Sequence, residues 1–187
     1  MHFARSWKTA AALGLCLIAA CANYVKSIDK NEKPTEKDAY LYGRFQMNAP
    51  DSWLAMDGHQ TMGFVVKCAD EQSYTIRFDK KEPLQVIKIG PASCGVSEVV
   101  YTDADGRVRS RKPAPAALQR PVAFESGKAY YLGDFQAEVS NWTSGTTIHT
   151  EWRVTSVRND YRATTEKMKS DFPNLSGVAT ENRMLGR

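Results

Sequence analysis

The chain reads as a mainly β protein, an antiparallel β-sandwich of about eight strands followed by one C-terminal amphipathic helix. Three observations predict it. Apolar residues alternate with polar ones in several separated runs, the period of strands half buried in a sheet. Turn-forming Gly, Pro, Asn and Asp fall between those runs, as strand connections require. A 3.6-residue apolar period appears convincingly only once, near the end.

In residues 39–47, Leu41, Gly43, Phe45 and Met47 share one face, opposite Tyr40, Tyr42, Arg44 and Gln46. Met62, Phe64, Val66 and Cys68 alternate in the same way, as do Tyr74, Ile76 and Phe78, and Ala69-Asp70-Glu71-Gln72 between them suits a hairpin loop. Residues 84–89 and 95–101 follow, separated by Gly90-Pro91. Asp103-Ala104-Asp105-Gly106 begins like a calcium loop, but the position that should hold a bidentate glutamate is Lys112. Asp105-Gly106 therefore reads as a turn into a strand at Val108. Residues 112–121, rich in Pro and Ala, read as a surface excursion. Two strong strands, 129–137 and 146–157, flank a predicted turn at 141–145. Asp160 or Asn159 then caps a helix with Tyr161, Thr164 or Thr165, Met168 and Phe172 on one stripe, which Pro173 ends.

The beginning of the chain has a different character. Arg5 and Lys8 precede an uncharged apolar stretch from Ala10 to Ala20, and small residues lead into Cys21. This is the pattern of an export signal, and the apolar run is too short to cross a bilayer. Ile18-Ala19-Ala20-Cys21 resembles the lipobox of bacterial prolipoproteins, a resemblance confined to residues 1–21. It implies diacylglycerol transfer to the Cys21 sulfur, cleavage after Ala20, and acylation of the new amino terminus. Ala22, where an aspartate would favour inner-membrane retention, implies an outer-membrane lipoprotein facing the periplasm in a Gram-negative source.

The expected organisation is a signal peptide at 1–20, a lipidated cysteine and flexible tether at 21–38, a β domain with its helix at 39–175, and a tail at 176–187. The tether is expected because ANYVKSIDKNEKPTEKD is polar, charged and aperiodic, and the tail because it shows little periodicity. With Cys16 removed and Cys21 acylated, Cys68 and Cys94 remain, and an exported protein most simply joins them in a disulfide. The formal charge of +4 falls to +2 when Arg5 and Lys8 leave. That excess is too small and too scattered for a nucleic-acid partner.

Candidate chemistry is sparse. No Gly-x-Ser-x-Gly elbow surrounds a serine, and no phosphate-binding glycine loop occurs. His59 sits in a loop sequence and His149 on the outward alternation of a strand, so both read as surface residues. Asp134 is the most notable acid, expected on the same face as Tyr130 and Leu132. Aromatic residues, including Trp152, can either fill the core or form a binding face. The candidate surface is Trp53, Trp142, Tyr130 and Asp134. Gly127 to Phe135 resembles the penultimate-strand signature of small β-sandwich lipoproteins of unassigned function, a nine-residue likeness that transfers no site. The expectation is a non-enzymatic envelope module without metal or cofactor, held to a membrane by lipid and facing another envelope protein or a cell-wall component. An inhibitor or immunity lipoprotein against a cell-wall hydrolase comes second, and a periplasmic hydrolase third.

Overall fold

The computed structural model describes residues 23–25, 27–48, 61–78, 83–102 and 108–186. Eleven strands, two helices and a 3-10 turn are found there. They are β1 Asn23–Val25, β2 Ala39–Asn48, β3 Thr61–Cys68, β4 Ser73–Phe78, β5 Leu84–Ile89, β6 Ala92–Thr102, β7 Val108–Pro113, α1 Ala116–Gln119, β8 Val122–Phe124, β9 Lys128–Ser144, β10 Thr147–Arg158, α2 Tyr161–Asp171, the 3-10 turn Pro173–Leu175, and β11 Ala179–Asn182. The mainly β expectation holds. The strand count does not, because β1, β8 and β11 are three- or four-residue strands too short to show a period.

The strands form two sheets. One has the order β1-β4-β3-β6-β7, with β8 also on β6, and the other β10-β9-β2-β5, with β11 also on β9. The pairing is mixed rather than purely antiparallel, since β1 with β4, β2 with β9 and β11 with β9 are parallel. The inner faces of both sheets share one apolar core. Phe64 from the first sheet meets Phe135 from the second edge-on at 4.8 Å between ring centroids. The alternations in β2 and β3 fall as predicted. Leu41, Phe45, Met62, Phe64, Val66 and Cys68 point into this core, while Tyr40 and Tyr42 point the other way.

That second direction is buried too. On the outer face of the second sheet, Tyr40, Tyr42, Leu84, Val86 and Tyr131 form a separate cluster, covered by Met168 and Phe172 of α2. The stripe Thr164, Met168 and Phe172 is buried as its spacing requires, although Asp160 at the N-cap makes no side-chain capping bond. α2 is not the end of the structure. The chain continues into β11, and Leu185 donates its backbone N–H to Leu132 while its side chain joins the inter-sheet core. The predicted frayed tail is therefore packed. β10 and β11 share one edge of β9, along residues 134–144 and 128–131 respectively. Lys128 and Arg183 flank Glu181 of β11, and the Lys128 ammonium, its main partner, holds the Glu181 carboxyl below the usual range.

The predicted tether also packs, where it is described. β1 lies along β4, and Ile28 donates its N–H to the Val86 carbonyl at 2.8 Å, occupying the free edge of β5. Ser27 Oγ donates to the same carbonyl, and Glu32 pairs with Lys88. An exposed strand edge recruits any backbone that can satisfy its N–H and C=O groups, so a segment without apolar period still docks. The excursion at 112–121 differs from expectation as well, since Ala114 and Leu118 reach the core. The predicted 141–145 turn lies largely within β9, whose hairpin to β10 turns at Gly145-Thr146 with Gly145 at a φ of 59°. The Asp105-Gly106 turn lies outside the described residues, while the flanking β6 and β7 pair antiparallel. Among the described residues no helix is long and apolar enough to cross a membrane.

Cys68 and Cys94 are direct cross-strand partners in β3 and β6 and form a disulfide with Cα atoms 4.0 Å apart. Replacing both with Ala is expected to lower unfolding free energy by about 3 kcal/mol for a loop of this length, measured by urea denaturation. Gly43→Ala is expected to cost at least about 2 kcal/mol, because its Cβ would lie 2.6 Å from the Gly133 carbonyl oxygen. Gly145→Ala, with positive φ and nothing within 4 Å, should cost only about 1 to 2 kcal/mol.

Candidate binding face

The geometry of the outer face is set by one irregularity in β9. Tyr42 pairs with Tyr131 and Gly43 with Gly133, so Leu132 is an extra residue, a bulge. Gly133 adopts a φ of 125°, which only glycine tolerates well. Before the bulge the even-numbered side chains, Tyr130 and Leu132, face the inter-sheet core, and beyond it the odd-numbered ones, Phe135 and Ala137, do so. Asp134 is thereby turned away from Tyr130 and Leu132, contrary to simple alternation. It points to the helix side, where Thr164 Oγ1 lies 3.0 and 2.9 Å from its two oxygens. A hydroxyl has one hydrogen, so it donates to one oxygen at a time.

The phase change puts Asp134, Gln136, Glu138, Ser140 and Trp142 in a row on the outer face. Their cross-strand partners on β10 are Arg158, Ser156, Arg153, Glu151 and His149. Neighbours across the ribbon are fixed in pairs. Ser156 donates to Gln136 Oε1 at 2.8 Å, Arg153 donates to Glu138 at 3.1 Å, and the rings of Trp142 and His149 stack with centroids 5.2 Å apart. On β2, Arg44, Gln46 and Asn48 extend the first three rows. The helix covers only the lower part of this face, leaving the upper rows exposed or half-buried. Trp142, with 48% of its surface exposed, is the exposed large apolar side chain of the described residues.

At the base of the strip lies a cavity of about 240 Å³ lined by Arg44, Gln46, Asp134, Gln136, Arg158 and Asp160. Arg44 Nε is buried there and has no hydrogen-bond partner among the described residues. Arg158 pairs with Asp160 at 3.5 Å. Tyr131 ties the two lining residues Arg158 and Asp160 together, its hydroxyl donating to the Arg158 carbonyl and accepting from the Asp160 N–H, both at 3.0 Å. Burial first, and then the nearby Asp134 charge, push the Tyr131 phenol well above its ordinary range. Burial does the same to Tyr42 despite its bond to Thr165. Both phenols stay protonated at neutral pH and act as fixed hydrogen-bonding groups.

The predicted surface residues are thus divided. Trp142 is exposed as a surface role requires. Tyr130 is 1% exposed, packed edge-on against Phe124 with its hydroxyl accepting from the Glu125 N–H, so it is a core residue. Asp134, 8% exposed, forms a wall of the cavity rather than an open surface. Tyr40, Tyr42 and Tyr131 are buried as well. Cys21, Trp53 and His59 lie outside the described residues. Arg44, Arg158 and the Gln46–Gln136 row were missed, because charged and amide residues in a strand read as ordinary solvent-facing positions. Their strand pairing, which a sequence does not display, brings them together. Among the described residues no three His, Cys, Asp or Glu side chains are grouped to hold a metal ion.

Thr164→Val should leave the enclosed Asp134 carboxylate without its hydroxyl donor and cost about 1 to 3 kcal/mol in urea unfolding. Thr164→Ser, which keeps the hydroxyl, should retain most of that stability.

No protein-family model matches the chain, and no curated protein does. Among solved structures, one from Bacteroides uniformis described as a candidate cell adhesion protein resembles it at 13% identity with a TM-score of 0.28. That match covers 63% of this chain, which spans half the length of the other. A likeness so slight assigns neither fold family nor activity.

Proposed function

We propose that the chain is a lipoprotein of the bacterial cell envelope whose β domain is a non-enzymatic binding module. In this reading residues 1–20 are removed, Cys21 carries the acyl chains, and the domain stands on the periplasmic face of an outer membrane. The lipobox pattern Ile18-Ala19-Ala20-Cys21 supports the anchor. More than one acyl chain is needed for stable anchoring, since a single chain binds only marginally.

The observation that carries the binding role is the exposed Trp142 ring, braced by His149, at the end of a polar strip fixed by cross-strand pairs. A tryptophan held flat by a neighbouring ring loses little freedom on binding and exposes a large apolar face. The strip beside it balances Arg44, Arg153 and Arg158 against Asp134, Glu138 and Glu151. Such a surface favours neither a polyanion nor a polycation. It suits an uncharged or zwitterionic chain rich in hydroxyl and amide groups, which describes the glycan and peptide of a cell wall. A second reading shares the same feature. A projecting hairpin tip with a stacked Trp and His could enter the cleft of a cell-wall hydrolase and inhibit it.

Trp142→Ala is expected to weaken binding to soluble cell-wall fragments at least tenfold, about 1.4 kcal/mol, by calorimetric titration. Unchanged affinity would sink the glycan reading, and protection of cell walls from lysozyme-like enzymes, lost in the same variant, would favour the inhibitor. Cys21→Ser should abolish palmitate incorporation, and a variant that still takes up label would rule out the anchor.

A further inference from the structure

The N-terminal segment does more than connect. β1 starts at Asn23, opposite Tyr74 at the beginning of β4. In sequence only Ala22 separates that strand from Cys21. The chain then crosses to the β5 edge at Ser27 and Ile28 and descends past Lys88 to enter β2. This strap closes one open side of both sheets.

The strand pairings show which pole of the domain the strap starts from. Tyr74 adjoins the Ala69–Gln72 hairpin after Cys68, and Cys68 faces Cys94 near the start of β6. Ala39 at the start of β2 faces Ile89 at the end of β5, next to Gly90-Pro91, and Tyr40 faces Ala129 at the start of β9. β9 runs from this pole to Trp142, which at strand spacing lies about 40 Å away. The 69–72 hairpin at this pole carries Asp70 and Glu71, with Lys67 at the end of β3 beside it, a balance that does not by itself select anionic headgroups.

We propose, on the reading that Cys21 is acylated, that the docked strap holds this pole against the bilayer. The lipid surface is then the partner of the 69–72 and 90–92 loops, and the Trp142 hairpin is displayed at the membrane-distal end. A flexible tether of seventeen residues would instead let the domain tumble over about 23 Å. With Ala22 alone between the acylated Cys21 and β1 in sequence, the backbone hydrogen bonds of the strap set the orientation.

The test uses the acylated protein in phospholipid nanodiscs containing a nitroxide-labelled lipid, with amide signals read by NMR. Signals of Asp70–Gln72 are expected to lose intensity severalfold, and those of Trp142–Thr147 to be unchanged. Equal losses at both poles, or losses at the hairpin alone, would overturn the orientation. A Gly-Ser insert of about twelve residues between Ala22 and Asn23 should reduce the loss at Asp70–Gln72. An insert without effect would show that the strap does not set it. The mass of the N-terminal peptide reports acylation separately. Where that mass shows none, the anchor reading fails, and coupling Cys21 to a maleimide phospholipid tests the orientation of the same chain.

Discussion

Gly43 and Gly133 meet backbone to backbone across the parallel pair of β2 and β9, so closely that a Cβ on Gly43 would sit 2.6 Å from the opposite carbonyl oxygen. Most of the second sheet follows from this contact. β9 is the hub strand, carrying β2 on one edge and both β10 and β11 on the other. The extra residue beside the contact inverts the facing of everything beyond it. Without that inversion Asp134 would point into the inter-sheet core, where a carboxylate is costly. Phe135 would leave its partner Phe64, and the polar strip would be divided between two faces.

Two burial directions result, each with its own logic. Between the sheets, aliphatic and phenyl side chains predominate, joined by Tyr101 and by Tyr130, whose hydroxyl accepts a backbone N–H. Beneath α2 the side chains are largely tyrosines, and their hydroxyls reach the rim. Tyr42 bonds to Thr165, Tyr131 to the chain entering α2, and Tyr161 to Thr180. Tyrosine suits this second layer because its apolar body can be buried while its polar end fixes the helix in one position. The helix is thus pinned by hydrogen bonds at its start and by Met168 and Phe172 further along.

Local features of the chain were legible to the extent that they repeat. β2 to β6, β9, β10 and α2 showed their periods, and Cys68 and Cys94 showed their pairing by elimination. Short strands carry no period, so β1, β8 and β11 were invisible. β1 and β11 form because neighbouring edges offer unsatisfied backbone groups. Asp134 was misjudged for a different reason. Alternation assumes an unbroken strand, and Gly133 gave the one available hint that this strand is broken. Tyr130 and Trp142 are both aromatic residues of β9, yet one is core and the other surface. The deciding facts are the bulge, which leaves Tyr130 facing the inter-sheet core and turns Trp142 to the outer face, and the short reach of α2 over that face, neither of which a window of sequence displays.

The long reach of the β2–β9 pair also bears on when the fold can form. Tyr40 waits for Ala129, and β9 in turn receives β11, Ala179–Asn182, from farther along the chain. Closing loops of that length is entropically slow, so the β2–β9 pairing lags behind local pairings such as the β9–β10 hairpin. A nascent chain would hold hairpins of the first sheet while its second sheet still lacked a centre. Until β9 is available to pair with β2, the second sheet stays open and the polypeptide ahead of β9 stays threadable.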